Sequence, residues 1–374
     1  MKQQPNPELL AAARNVLPVL SGARLVAMRE LLGYTQAQVA ETTGISPSAL
    51  SQAERGDTTL SAVNVARISA LFEVLPESLI KLPEPQVELA PQFRHLRSTP
   101  KRERLKAERF VYATARVARA LQECVQFPEP FELNWPVDPD KPIVEVEDEV
   151  EEAAAQTRAV LGIQPHDPIG DRVIDLLEAG GVTVVRDPET DHDIDAYSAI
   201  VDDIPIIVLD GGTDSVWDRD NFNLAHELGH LVMHRGNQRD PGTQSVEKQA
   251  NRFAGAFLGP EGGLRQQLPT DLDWGRYLQL KRDWGMSMAA LTIRARDLAI
   301  IDETTYTRAM KQRSSHGWKR KEPGSNDRAL PAPQFLSQAA SLAKMSSEQL
   351  ARRTHLPTKV VERIVGESFP SLVG

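Results

Sequence analysis

Cysteine is almost missing from this chain: Cys124 is the single one among 374 residues. One cysteine forms no intramolecular disulfide and builds no cysteine-based zinc finger, so any metal chemistry must come from other side chains. Aromatic residues are sparse, and no apolar run approaches the ~18 residues of a bilayer-spanning helix. The opening segment MKQQPNPELLAAARNVLPVL holds one early Lys, then Gln, Pro and Asn, and lacks the apolar block of a signal peptide. These absences predict a cytoplasmic protein with no membrane partner. Excess positive charge is lacking too: 43 Lys and Arg against 52 Asp and Glu leave a net charge of -9. That argues against broad nucleic-acid coating by the whole chain, but not against one local DNA-reading module.

What is present divides the chain linearly. Residues 1–82 read as short helices broken at Gly33, Gly44, Gly56 and Pro76. Residues 83–143 read as a proline-rich linker and a basic, helix-favouring connector, the basic run extending from Arg94 to Arg104. Residues 144–323 begin with an acidic helix over Val144–Leu161 and a second over Pro168–Ala179. The β-branched runs Val182–Arg186, Ala199–Val201 and Ile204–Leu209 then read as strands, with Asp202 and Asp203 at a hairpin tip. Helical spacing returns over Leu224–His234 and Val246–Leu258. Residues 324–374 read as a helical tail. The expected fold is therefore multidomain: an all-α N-terminal bundle, a central α+β domain with a small sheet, and an α-helical C-terminal region.

Only eight histidines occur in the chain, and three of them fall in the segment NLAHELGHLVMH from Asn223 to His234. His226 and His230 are four residues apart, which on a helix places them ~40° apart around the axis and ~6 Å along it, so both imidazoles can reach one ion. Glu227 is placed to take a proton from an attacking water rather than to bind the metal. A chance HExxH should arise on the order of once per hundred such chains, and the apolar neighbours suit a helix buried around its site. A catalytic zinc needs a third protein ligand. His234 lies ~12 Å from His226 along the helix, which suits a supporting or substrate-facing role. The third-ligand candidate is Glu247, opening the next amphipathic helix, although a carboxylate there also suits a helix N-terminus on its own account. The donor set favours Zn²⁺, and Mn²⁺ fits the same ligands. An extended substrate is expected to add to the strand Ile204–Leu209. Tyr197 is a substrate-facing candidate by residue type.

HELGHLVMH followed by EKQANRFAGAFLGP resembles the ImmA/IrrE metallopeptidase family. The lead-in from Arg219 to Ala225 and the downstream runs from Trp284 and from Gly317 to Pro323 share the likeness, which covers roughly Pro168 to Pro323. The resemblance implies a zinc-dependent endopeptidase with His226, His230 and Glu247 as ligands, Glu227 as catalytic base, and a repressor-type protein as substrate. One departure is the ending Phe257-Leu258-Gly259-Pro260, where the family usually has a Leu-Met-Pro-like run.

Residues Ala23 to Gly56 carry a second pattern. Leu25, Met28 and Leu32 mark the inner face of a first helix. Thr35 with Gln38 forms a capping box, and Val39 and Ala40 face inward. Gly44 makes the turn, Ile45 plugs it, Ser46 caps the third helix and Pro47 opens it. Ser46, Ser48, Ser51 and Gln52 would face the major groove. The pattern resembles the Cro/C1-type (XRE) helix-turn-helix, which implies a double-stranded DNA operator and a phosphate contact from Gln36; the outward set carries so little positive charge that affinity is expected to need dimerisation or neighbouring basic groups. Ser346 onward aligns with Thr35 onward at a shift of 311 residues, and reads equally as a second, degenerate helix-turn-helix or as a generic helical tail.

Two functions from different classes follow. One is a DNA-binding regulator whose peptidase cuts a repressor, itself or a partner, in a stress, phage or mobile-element switch. The other is a silent repressor or antitoxin-like protein that keeps the peptidase fold as sensor or scaffold.

Overall fold

A computed structural model describes residues 6–91, 100–132, 134–190, 194–212, 215–235, 244–319 and 321–366. In chain order the first helices are α1 (Pro7–Val16), α2 (Gly22–Leu31), α3 (Gln36–Thr43), α4 (Pro47–Arg55) and α5 (Ala62–Phe72). A short strand β1 (Val87–Leu89) follows, then α6 (Lys101–Gln122), α7 (Ile143–Val160) and α8 (Val173–Ala179). Next come the strands β2 (Thr183–Asp187), β3 (Ala196–Val201) and β4 (Ile204–Asp210), then α9 (Trp217–Met233) and α10 (Gln244–Leu258). The remaining helices are α11 (Glu261–Leu264), α12 (Trp274–Trp284), α13 (Met288–Asp297), α14 (Glu303–Ser315), α15 (Phe335–Leu342), α16 (Ser347–Thr354) and α17 (Thr358–Val365). Among the described residues no helix is long and apolar enough to cross a membrane.

These elements form two compact units, and neither is continuous in sequence. One comprises Met1–Gln86, Ser98–Phe127 and Gln334–Gly374; the other comprises Val87–Arg97 and Pro128–Pro333. The linear division expected from the sequence differs from this in two places. The connector helix α6 and the tail helices α15–α17 belong with the N-terminal bundle, because α6 packs on α2 and receives α15, α16 and α17. The expected linker also contains β1, which joins the sheet of the other unit. The basic run from Arg94 lies in part outside the described residues, as do the last eight residues of the tail.

In the first unit, the helix-turn-helix follows from local chemistry. Thr35 and Gln38 form the expected capping box on α3, and Gly44 closes it at φ 69°, a left-handed conformation that a side chain would strain. Ile45 plugs the turn at 5% exposure, and Ser46 caps α4 by accepting from the Ala49 N–H. The tail repeats this geometry. Ser346 and Gln349 form a second capping box, and His355 takes the left-handed position of Gly44 at φ 55°. Leu356 stands where Ile45 does, buried at 4%.

In the second unit the sheet order is β1-β3-β4-β2, with β3–β4 antiparallel, β2–β4 parallel and β1–β3 antiparallel. The β3–β4 hairpin turns at Asp202 and Asp203, both at positive φ, as its sequence led one to expect. β4 is an inner strand with both edges paired. The expectation that a substrate adds to Ile204–Leu209 is therefore wrong, because those backbone groups are already used by β2 and β3. A periodicity argument detects a strand but not its neighbours.

The sheet supports α9, which is buried on nearly all sides although its sequence is only half apolar. Leu224, Leu228, Leu231 and Val232 are fully buried, each contributing about 1.5–3 kcal/mol. α9 begins a full turn and more before Leu224. Asn221, within that added stretch, donates to the carbonyls of Gly170 and Gly285 and so fixes the helix to two loops. α10 crosses against α9 where Gly229 presents no side chain. A Cβ there would stand 3.0 Å from the Phe253 ring, so the glycine sets how closely the two helices approach.

Candidate functional site

Where α10 meets α9, the side chains of His226, His230 and Glu247 converge. One donor atom from each lies within 4.8 Å of the others. The two Nε2 atoms are 3.1 Å apart. Glu247 Oε2 is 3.5 Å from His226 Nε2, and Glu247 Oε1 is 3.8 Å from His230 Nε2. Ligand atoms around a tetrahedral zinc at ~2.05 Å are separated by ~3.3 Å. The three observed spacings bracket that value, so the donor set fits a small divalent cation.

A chain of hydrogen bonds fixes which imidazole nitrogens face this centre. Gln249 uses its amide N–H groups on the carbonyls of Asp138 and Lys141, at 2.9 and 3.0 Å. Its oxygen must then accept from His234 Nε2, 2.9 Å away. His234 therefore presents a bare Nδ1 to His230 Nδ1 at 3.1 Å. His230 has to donate there, which leaves its Nε2 as a lone pair directed at the cluster. Burial pushes His234 down to about 4 despite the Gln249 hydrogen bond, so it stays neutral as this chain of donors requires. His226 is oriented in the same way, its Nδ1 lying 3.1 Å from Asn251 Oδ1.

Two lone pairs facing each other at 3.1 Å repel unless a positive charge sits between them. Burial works to lower the His226 pKa, but the hydrogen bond it donates to Glu247 and the charges of Glu227 and Glu247 outweigh it and hold it above the usual value. The cluster thus attracts a cation.

Glu227 follows His226 on α9 and meets the sheet. Its Oε2 accepts a 2.6 Å hydrogen bond from Ser198 Oγ on β3. Burial raises its pKa above the ordinary carboxylate range, against the opposing effects of His226 and Ser198. A carboxyl raised in this way holds a proton more readily than a free one, as a group that takes up and returns protons must.

Of the four residues that sequence reasoning brought together, the structure clusters His226, His230 and Glu247, and Glu227 meets Ser198 beside them. His234 lies behind His230, touching Gln249 rather than open space. Tyr197 does not join them. It is fully buried, and as the neighbour of Ser198 on a strand it projects from the opposite face to the one meeting Glu227. Ser198, Gln249 and Asn251 were missed. Asn251 lies one turn after Glu247, so helical spacing contained its signal. Nothing local marks Ser198, whose role depends on the packing of β3 on α9.

In the first unit, Ser48 and Gln52 are exposed on α4, and Ser46 is exposed while its hydroxyl caps the helix. Ser51 accepts from Arg55 at 2.6 Å. Gln36 donates to Glu54 at 2.9 Å, and Glu54 is gripped by Arg29 at 2.7 Å. The Gln36 amide is thus oriented by its own domain. Arg55, missed in the sequence reading, is an exposed cation on the same helix.

A helix-turn-helix family model matches residues 25–79, the bundle just described. A peptidase family model, described as the IrrE N-terminal-like domain, matches residues 177–296, spanning β2 to α13 and the whole cluster. The chain is a fusion of an XRE-type helix-turn-helix with an ImmA/IrrE-type domain. No curated protein gives a significant match. The IrrE-like match thus holds the three clustered residues together with Glu227, Ser198, Gln249 and Asn251.

Proposed function

We propose that the chain is a DNA-binding regulator whose IrrE-like domain is a metal-dependent endopeptidase acting on a protein, as its family likeness implies a repressor. The observation that carries this reading is the His226–His230–Glu247 cluster with a buried, raised Glu227 beside it. Zn²⁺, or Mn²⁺ on the same donors, would be held by the Nε2 atoms and the Glu247 carboxylate, and would supply Lewis acidity toward a carbonyl and toward water. Glu227 then takes the proton of the attacking water and returns it to the departing amine, its carboxylate aimed by Ser198. His234, Gln249 and Asn251 hold the imidazoles in the required tautomers.

A protein substrate suits the surroundings. Asn251, which touches His226, also lines a cavity of about 650 Å³ with an apolar side formed by Ile143, Phe222 and Ala290. Lys248 and Arg296 stand on the same cavity. Such a cleft accepts an apolar side chain of an extended peptide. The helix-turn-helix would place α4 in the major groove of an operator, with Ser48, Gln52 and Arg55 outward and a second copy supplying further phosphate contacts.

Elemental analysis of the purified chain beside a His230→Ala variant is the first test. About one zinc or manganese per chain, lost in the variant, supports the centre; no metal in either, even after incubation with both ions, rejects it. Glu227→Gln should retain the metal and lose about 10²–10⁴-fold in cleavage of a repressor substrate. A metal-loaded chain that never cleaves would leave the domain as a scaffold or sensor.

A further inference from the structure

Within the DNA-binding unit, α2, α6, the segment after residue 80 and the α16–α17 turn enclose a cavity of about 170 Å³. Arg24, Lys81, Arg109 and Arg116 line it, against a single lining carboxylate, Glu84. Arg24 comes from the first helix of the helix-turn-helix. Its Nε donates to the Ser78 carbonyl at 3.0 Å and its Nη2 to the His355 carbonyl at 2.6 Å. Among the described residues it meets no carboxylate. Arg109 is bridged to Glu30 at 2.9 Å. Burial, with the nearby charges of Arg116 and Arg109, lowers Arg24 to about 10. Cations gathered at this cost in mutual repulsion call for an anion. The N-terminal turn of α2, a helix of 10 residues, also lines the cavity through Ser21 and Ala23 and adds its positive dipole end.

We propose that this cavity is an effector site for inorganic phosphate or a small phosphomonoester. Three guanidiniums converging from two helices suit a dianion with three acceptor oxygens better than a monocarboxylate with two. The volume decides the size. A cavity of about 170 Å³ accommodates a phosphoryl group with a few carbons. Tyr112 and Leu356 give the remaining wall an apolar part for such carbons. Bound there, the anion would join α2 of the helix-turn-helix to α6 and to the C-terminal turn, so occupancy would be felt by the helices that read DNA.

The test uses the full chain, titrated with inorganic phosphate and with a three-carbon phosphomonoester by calorimetry and ³¹P NMR, and with succinate as a carboxylate probe. Lys81→Glu is the informative variant, because Lys81 is exposed and reverses the charge without disturbing packing. Arg116→Gln is the second. Saturable binding of one phosphate per chain is expected, weakened roughly tenfold or more in either variant, as for loss of a charge-assisted contact. Loss in these variants also separates this cavity from the metal cluster, which neither touches. Absence of saturable binding at millimolar phosphate, equal binding in both variants, or tighter binding of succinate would each overturn the proposal.

Discussion

At the residue scale, protonation and donor direction do most of the selecting. Gln249 sits two hydrogen bonds away from His230, yet its amide decides which nitrogen His230 offers to the cluster. Gln249→Met removes both the acceptor for His234 and the ties to Asp138 and Lys141. Metal affinity should fall about 10–100-fold, the usual cost of losing such outer contacts, in a competition titration against a chromogenic chelator. An unchanged affinity would mean that His230 is oriented without this chain. His355 offers a pH-dependent check in the other unit. Burial, then the charges of Arg24 and Arg116, lower its pKa below the ordinary 6.5. Its folded form resists a proton that the unfolded chain accepts, so stability is complete above that value and is lost as pH falls below it. Because His355 is at positive φ, His355→Asn is tolerated by the backbone and should flatten the acid loss of stability in denaturant titrations at pH 7 and pH 5.

At the scale of elements, the site is a contact between two helices over a sheet. α9 supplies two imidazoles and the proposed base Glu227, α10 supplies the carboxylate, and β3 supplies the hydroxyl that donates to Glu227. The closeness of α9 and α10 rests on Gly229, where a Cβ would press on Phe253 at 3.0 Å. Gly229→Val should cost about 1–3 kcal/mol in chemical denaturation, the range for overpacked cores. It should also carry Glu247 away from the imidazoles, so metal affinity falls with stability. Stability lost with full affinity retained would show that α10 re-seats without moving Glu247. The tail helices illustrate the same dependence on packing. α16 and α17 repeat the capping box, left-handed turn and buried plug of α3 and α4. In α17, however, Lys359 pairs with Glu73 at 3.3 Å and Arg363 lies over the Phe110 ring, so both cations are engaged within their own unit.

At the scale of the whole molecule, chain order and spatial order part company. The DNA-binding unit draws on the beginning, the connector and the end of the chain, whereas the IrrE-like unit occupies the span between, with β1 as its outlying strand. A chain ending at Pro333 would lose α15, α16 and α17 from the first unit and no described element from the second. Its DNA-binding unit should melt lower by roughly 10 °C or more, on the scale of a few kcal/mol for a domain of this size. Metal content should be unchanged. Equal melting of the truncated and full chains would show that the tail helices add nothing to the bundle.

The sequence by itself determined everything whose signal is local. Four-residue spacing put His226 and His230 on one helix face, capping chemistry marked α3, α4 and α16, and β-branched runs separated by Asp202 and Asp203 marked the hairpin. Glu247 was within reach because an amphipathic helix following closely on HELGH can lie against it. Tertiary structure alone decided what depends on neighbours distant in sequence. It made β4 an inner strand, turned Tyr197 away and Ser198 toward Glu227, brought residues 334–366 back onto α6, and gathered Arg24, Arg109 and Arg116 around one cavity. Periodicity reports which face of an element is apolar, but long-range packing determines what that face meets, and no short window of sequence contains that information.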